Sequence, residues 1–180
     1  MEVKSTPIPD LYIIQPKVFE DDRGYFFESY SKAEFTKHGI DADFVQDNQS
    51  LSQKGVLRGL HFQNPPFAQG KLVRAIKGGI FDVAVDLRKA SPTYGEHFDI
   101  ELTEKNKTML WIPPGFAHGF LTLEDNTIFS YKCSNIYNKE SEGSIIWNDH
   151  TLSIKWGINN PILSEKDKTG PLFKDFKSMF

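Results

Sequence analysis

Residues 80–88 read "IFDVAVDLR", in which Phe81, Val83, Val85 and Leu87 alternate without a break with Asp82, Ala84, Asp86 and Arg88. Successive side chains of an extended chain point to opposite sides, so this period of two assigns a β-strand with one apolar face. Lys77-Gly78-Gly79, just before it, suits a hairpin, because glycine enters the positive-φ conformations of tight turns without a steric cost. Working outward, strand-like runs recur in "DLYIIQPKVF", "RGYFFESY", "GKLVRAIK", "EHFDIELT", "KTMLWIP", "GFLTLE" and "TIFSYKC", interrupted by turn-rich "SPTYG" and "LEDN". About ten short strands without alternating helices predict an all-β sandwich or jelly roll rather than a parallel nucleotide-binding sheet. Helical signals are few. Ser31 to Glu34 has capping-box spacing ahead of Gly39, and "PLFKDFKSMF" predicts a short helix within the C-terminal stretch, about 164–180.

The 180 residues are 39% hydrophobic and 13% aromatic, enough apolar material for one core, so residues 1–180 are expected to form a single domain. The 21 basic and 24 acidic side chains leave a net charge of −3, too small and too evenly spread to imply nucleic acid or an anionic membrane as partner. Cys133 is the single cysteine, which argues against an internal disulfide and for a reducing compartment. "MEVKSTPIPD" lacks the basic-then-apolar pattern of a secretion signal, and no apolar run nears the roughly 20 residues that span a bilayer. A soluble, cytoplasmic chain is the expectation. GxGxxG, GxxxxGK[ST], GxSxG and cysteine pairs at zinc spacing are all missing, which removes support for dinucleotide, P-loop and serine-hydrolase chemistry.

"GVLRGLHFQ", residues 55–63, sets Arg58 and His61 into a run that otherwise reads as a buried strand. A strand histidine is ordinarily satisfied by one backbone hydrogen bond. Here, however, Arg58, Lys71 and Arg74 lie on the same strand or the next, and a sandwich interior gains nothing from several cations unless an anion sits between its sheets. A phosphate-bearing ligand in the barrel mouth would account for both the histidine and the cations. Regular alternation would put Arg58 and His61 on opposite faces, and a bulge at Gly59 is the device that would bring both inward.

"WIPPGFAHGF" spells P-x-G-x-x-H through Pro113, Gly115 and His118, which resembles the second signature of the cupin superfamily of small jelly rolls. Metal-holding cupins add an H-x-H pair and an acid; this chain offers His61-Phe62-Gln63, too few donors for a transition metal. No metal site is expected.

"DRGYFFESY", "FVQDNQS", "GVLRGLHFQ", "QGKLVRAIKGGIFDVAVDLRKASPTYG", "LWIPPGFAHGF", "SEGSIIWND" and "LSEKD", in order over about residues 7–173, resemble the dTDP-4-dehydrorhamnose 3,5-epimerase family. The resemblance implies a cupin-type jelly roll with a few short peripheral helices. It also implies an isomerase, free of cofactor, that converts dTDP-4-dehydro-6-deoxy-D-glucose to dTDP-4-dehydro-L-rhamnose for dTDP-L-rhamnose synthesis. Inverting C3 and C5 beside a C4 ketone needs a base, an acid across the ring and a group that stabilises the enolate oxygen. The resemblance gives those roles to His61, oriented by Asp167, to Tyr131 and to Lys71. It places Asp82 near His61, His118 near the sugar and phosphates, and Arg58 and Arg23 on the diphosphate. Gln46, Asn48 and Glu28 suit thymine and deoxyribose contacts, and Phe26 and Tyr137 suit stacking on the base. The "DRGYFFE" segment would reach into a neighbouring subunit, so a homodimer is implied, with Arg23, Phe26 and Glu28 completing the partner's site.

Each residue also has an ordinary structural reading. Asp167 resembles a helix-start acid after Ser164, Tyr131 a packed strand tyrosine, Lys71 an edge-strand lysine and Asp82 the polar side of its strand. Three rivals stay open at this point. They are a monoepimerase inverting only C3 or C5, a non-catalytic cupin that binds a sugar nucleotide, and a metal-dependent cupin oxygenase.

Overall fold

A computed structural model describes residues 1–180. In chain order the elements are β1 Glu2–Ser5, β2 Tyr12–Gln15, β3 Phe19–Asp21, β4 Gly24–Phe26, α1 Lys32–Lys37, β5 Gln46–Ser52, β6 Leu57–Gln63, β7 Lys71–Lys77, β8 Gly79–Asp86, β9 His97–Thr103, β10 Met109–Ile112, β11 Phe116–Thr122, β12 Thr127–Cys133 and β13 Glu142–Ser144. Two antiparallel sheets face each other, one of six strands in the order β1-β2-β10-β7-β12-β5 and one of five in the order β13-β6-β11-β8-β9.

Core residues lie on both faces of each sheet, and this decides how the 80–88 alternation is used. Ile80 and Ala84 point between the sheets, meeting Val73, Leu110, Phe120 and Phe129. Val83, Val85 and Leu87 point the other way, against Trp156, Leu152 and the C-terminal aromatics Phe173, Phe176 and Phe180. The side of β8 that looks polar in sequence is therefore the interior side, and Asp82 lies fully buried there. A third cluster, with Phe35 of α1 and Ile40 over Ile14, Leu72, Met109 and Trp111, covers part of the outer face of the larger sheet.

Several local expectations change. Lys77-Gly78-Gly79 is no hairpin: β7 and β8 belong to different sheets, and Gly78, at φ +70°, turns the chain from one sheet to the other. The "DLYIIQPKVF" run divides at Pro16, which cannot donate a ladder hydrogen bond, into β2 and β3. The "RGYFFESY" strand stops at Phe26, where β4 pairs only with β3 in an exposed two-stranded hairpin. Helix α1 forms after Ser31, but the serine side chain makes no cap bond and Glu34 instead receives Lys37 Nζ at 2.5 Å. No α-helix forms in 164–180. Only a 3₁₀ turn at Phe173–Asp175 appears, because the aromatics of this stretch lie along the sheet, with the Phe62 ring 5.1 Å from Phe176 and 6.2 Å from Phe180.

Candidate active site

The bulge expected at Gly59 is present. Between β6 and β11 the pairing runs His118 with His61 but Phe120 with Arg58, so β6 spends one extra residue over this span. Gly59 takes φ +128°, and a Cβ there would lie 2.5 Å from Gly119 Cα, so two facing glycines let the strands touch backbone to backbone. Leu57, Leu60 and Phe62 consequently pack outward, while Arg58 and His61 both line a cavity of about 410 Å³ between the sheets.

The acid facing His61 comes from far along the chain. Leu57 N–H donates to the Ile162 carbonyl at 3.0 Å and Ile162 N–H to the Gly55 carbonyl at 2.8 Å, clipping residue 162 beside the start of β6. The following turn presents Asp167, whose Oδ1 lies 2.5 Å from His61 Nε2 and whose Oδ2 accepts from Ser164 Oγ at 2.7 Å. The Asp167 side chain is 4% exposed and that of His61 30%, so the pair is sealed on the acid's side and open on the imidazole's. Burial pushes the Asp167 carboxyl up, but the hydrogen bonds from His61 and Ser164 outweigh it and hold the group below its ordinary range. With a carboxylate accepting from Nε2–H, the lone pair of His61 sits on Nδ1.

The opposite sheet supplies the other wall. Lys71 of β7 and Tyr131 of β12 line the same cavity, with Lys71 Nζ 5.8 Å from the Tyr131 ring centre. Burial lowers the Lys71 ammonium from its ordinary value and raises the Tyr131 phenol, so the tyrosine keeps its proton at neutral pH. His118, beside His61 on β11, gives its Nε2 to Asp82 Oδ1 at 2.8 Å and stacks near Phe129. Burial lowers this imidazole despite the neighbouring carboxylate. The arrangement can thus take a proton on one wall, give one from the other, and hold negative charge between Lys71 and Arg58.

Of the residues singled out in sequence, His61, Asp167, Tyr131, Lys71, Arg58 and His118 line this cavity, with Asp82 directly behind His118. Gln46, Asn48 and Tyr137 line an adjoining cavity of about 340 Å³ that shares His61, Lys71 and Tyr131. Gln46 is tied into it by donating to Asn48 Oδ1 at 3.1 Å and by accepting from Tyr137 N–H at 2.9 Å. Arg23, Phe26 and Glu28 line neither cavity: the first two lie on the exposed hairpin, with Arg23 paired to Asp21, and Glu28 follows it. Two contributors went unrecognised in sequence. Ser164 reads as a cap because S-x-x-D spacing suits one, and Glu142, which accepts from the Tyr137 hydroxyl at 3.3 Å and pairs with Lys166, carries no local signal at all. No three His, Cys, Asp or Glu side chains gather as a metal-ligand set.

Comparison with known proteins bears on this geometry. The family model described as dTDP-4-dehydrorhamnose 3,5-epimerase matches residues 5–175. The chain belongs to that family. A dTDP-4-dehydrorhamnose 3,5-epimerase of Shigella flexneri is 52% identical over 176 residues, covering 97% of each chain. Among solved structures of the family, the Elizabethkingia anophelis epimerase superposes with a TM-score of 0.94 at 53% identity, again covering 97% of each chain. The Legionella pneumophila enzyme, solved in complex with dTDP-4-keto-L-rhamnose, gives 0.93 at 46% identity and covers 98% of this chain and 94% of its own. The fold is the family's cupin jelly roll, and the chain is an epimerase. No helix is long and apolar enough to cross a membrane.

Proposed function

We propose that this chain inverts C3 and C5 of dTDP-4-dehydro-6-deoxy-D-glucose to give dTDP-4-dehydro-L-rhamnose. The observation that carries the reading is the placement of His61 and Tyr131 on opposite sheets across one cavity, with Lys71 beside the tyrosine. The C4 ketone acidifies the hydrogens on C3 and C5. His61 Nδ1 removes one such proton, the C–H electrons move into the C4 carbonyl, and the oxyanion forms against Lys71. Tyr131 returns a proton to the other face of the carbon, leaving a phenolate and an imidazolium that exchange protons with water before the second centre turns over. Because burial favours the neutral amine of Lys71, negative charge entering the cavity as enolate and diphosphate holds it as ammonium.

Arg58, whose Nε is oriented by Ser52 Oγ at 3.2 Å, serves the diphosphate, and His118 lies between diphosphate and sugar. Gln46, Asn48 and Tyr137 receive the nucleoside in the adjoining cavity. Two chains pair, each lending the hairpin with Arg23, Phe26 and the nearby Glu28 to its neighbour. Exposed Phe19, Tyr25 and Phe26 support that pairing, since a lone two-stranded ribbon leaves them uncovered. A nucleotide-sugar substrate goes with a cytoplasmic setting. The whole chain acts as one domain, and the proton chemistry calls for no cofactor.

Incubation with the substrate in deuterium oxide, followed by a downstream NADPH-dependent reductase and NMR of the product, tests the reading. Deuterium at both C3 and C5 in an L-rhamnose product is expected. Label at one centre alone replaces the assignment with a monoepimerase, and no label with binding retained replaces it with a non-catalytic cupin. Tyr131→Phe is expected to slow turnover about a hundredfold while dTDP binding stays close to that of the parent.

A further inference from the structure

We propose that Ser164 is a positioning residue for proton transfer: by donating to Asp167 Oδ2 it locks the carboxylate so that Oδ1 alone faces His61. The inference rests on the epimerase reading above and goes beyond it.

Three bonds define the arrangement. Ser164 Oγ donates to Asp167 Oδ2 at 2.7 Å, Asp167 N–H donates back to Ser164 Oγ at 3.2 Å, and Asp167 N–H also approaches the Ser164 carbonyl at 3.1 Å. Such a closed loop is what opens many helices. Here no helix follows, and the chain continues as turn and irregular structure to residue 172. The loop therefore serves the carboxylate itself. Asp167 Oδ1 is then fixed 2.5 Å from His61 Nε2, and the imidazole's orientation follows from the carboxylate's. Ser164 lines the cavity along with both partners, so its hydroxyl belongs to the site's wall and not to the remote scaffold. Without that hydroxyl the carboxylate can turn away from the imidazole, and the Nε2–H form that leaves Nδ1 free toward the sugar loses the acceptor that favours it. The lowered position of the Asp167 carboxyl agrees with this, since Ser164 is one of the groups that lower it against the effect of burial.

The test compares Ser164→Ala with Ser164→Thr, which keeps the hydroxyl. In the alanine variant kcat is expected to fall about tenfold with KM within twofold, in keeping with loss of one charge-assisted hydrogen bond. Threonine is expected to restore kcat. Nitrogen-15 NMR of His61 in the substrate-free chain adds a readout independent of turnover: one tautomer in the parent, a mixture in the alanine variant. If Ser164→Ala unfolds, Ser164→Cys, nearly the same size and a weak donor, takes its place with the same expectations. An alanine variant with parental kcat and a single tautomer overturns the proposal, as does a threonine variant as impaired as the alanine one. An inactive parent with a single His61 tautomer instead overturns the epimerase reading and leaves the hydrogen-bond proposal to the NMR result.

Discussion

Two histidine–aspartate pairs stand side by side in this fold, and they differ in nearly everything but composition. His61 and His118 are direct partners across β6 and β11. His61 pairs with Asp167 at 2.5 Å and keeps its imidazole 30% exposed, whereas His118 pairs with Asp82 at 2.8 Å and has only 7% exposed. The acid of the first arrives on a C-terminal turn. The acid of the second sits on the neighbouring strand, where Asp82 Oδ2 is buried with no hydrogen-bond partner. Burial drives His118 toward its neutral form, so that pair shapes the wall of the cavity, while His61 meets the open space in which a ring can bind. Access, more than the identity of the two residues, separates an imidazole open to the cavity from one enclosed in its wall.

The comparison breaks most sharply at His61. His61→Ala is expected to lower kcat at least about a thousandfold in the deuterium wash-in assay while the thermal melt stays near that of the parent. Retained turnover would make the exposed imidazole no base at all. Next come the acids. Asp167→Ala is expected to cut kcat about a hundredfold with a stability change under about 1 kcal/mol, since His61 can turn to water. Asp82→Ala is expected to lose about 3 kcal/mol in denaturant unfolding, since His118 is left buried without its acceptor. Similar stability losses in the two variants would erase the distinction drawn between the pairs.

The smallest effect is on pH dependence. The folded-state value of His118 lies below its ordinary one, so as pH falls the unfolded chain takes up that proton first, from about pH 6.5 downward. Its contribution to stability is full above that pH and declines as pH falls toward the folded value, by at most about 1.4 kcal/mol per unit. His118→Gln is expected to flatten the stability curve between pH 7 and 5.5. An equally steep curve in the variant would assign the acid sensitivity to other groups.

Much of this was readable in advance, and the failures share one cause. Strand period, glycine-rich turns and the Arg58–His61 anomaly all express local rules, and Gly59 announced its bulge because glycine inside a strand pattern is locally odd. Three features depended on what lay across the fold. Nothing near Lys77-Gly78-Gly79 says that the next strand joins another sheet. Nothing in 80–88 says that the apolar face will be covered by Trp156 and Phe180, leaving Asp82 inside. The aromatics of 172–180 have spacing compatible with a helix, yet a sheet surface holds them in extended chain. Part of the candidate site was legible for the same reason in reverse: Arg58 and Lys71 line one cavity from two sheets, whereas Arg74, grouped with them in sequence, falls on the other face of β7 over the Phe27 ring. Ser164 escaped because its spacing already had a commonplace explanation.

The clip between Gly55, Leu57 and Ile162 has a consequence for how this protein comes into being. Every strand but β13 is already made when the ribosome passes Cys133, and Asp167 follows only near the end. The strands that carry His61, Lys71 and Tyr131 are thus complete before Ile162, Leu163 and Ser164, which close the cavity, and Asp167 are delivered. A chain cut short after β13 loses both Asp167 and the aromatics that cover the outer face of the smaller sheet, so integrity of the tail is built into the fold as well as the cavity.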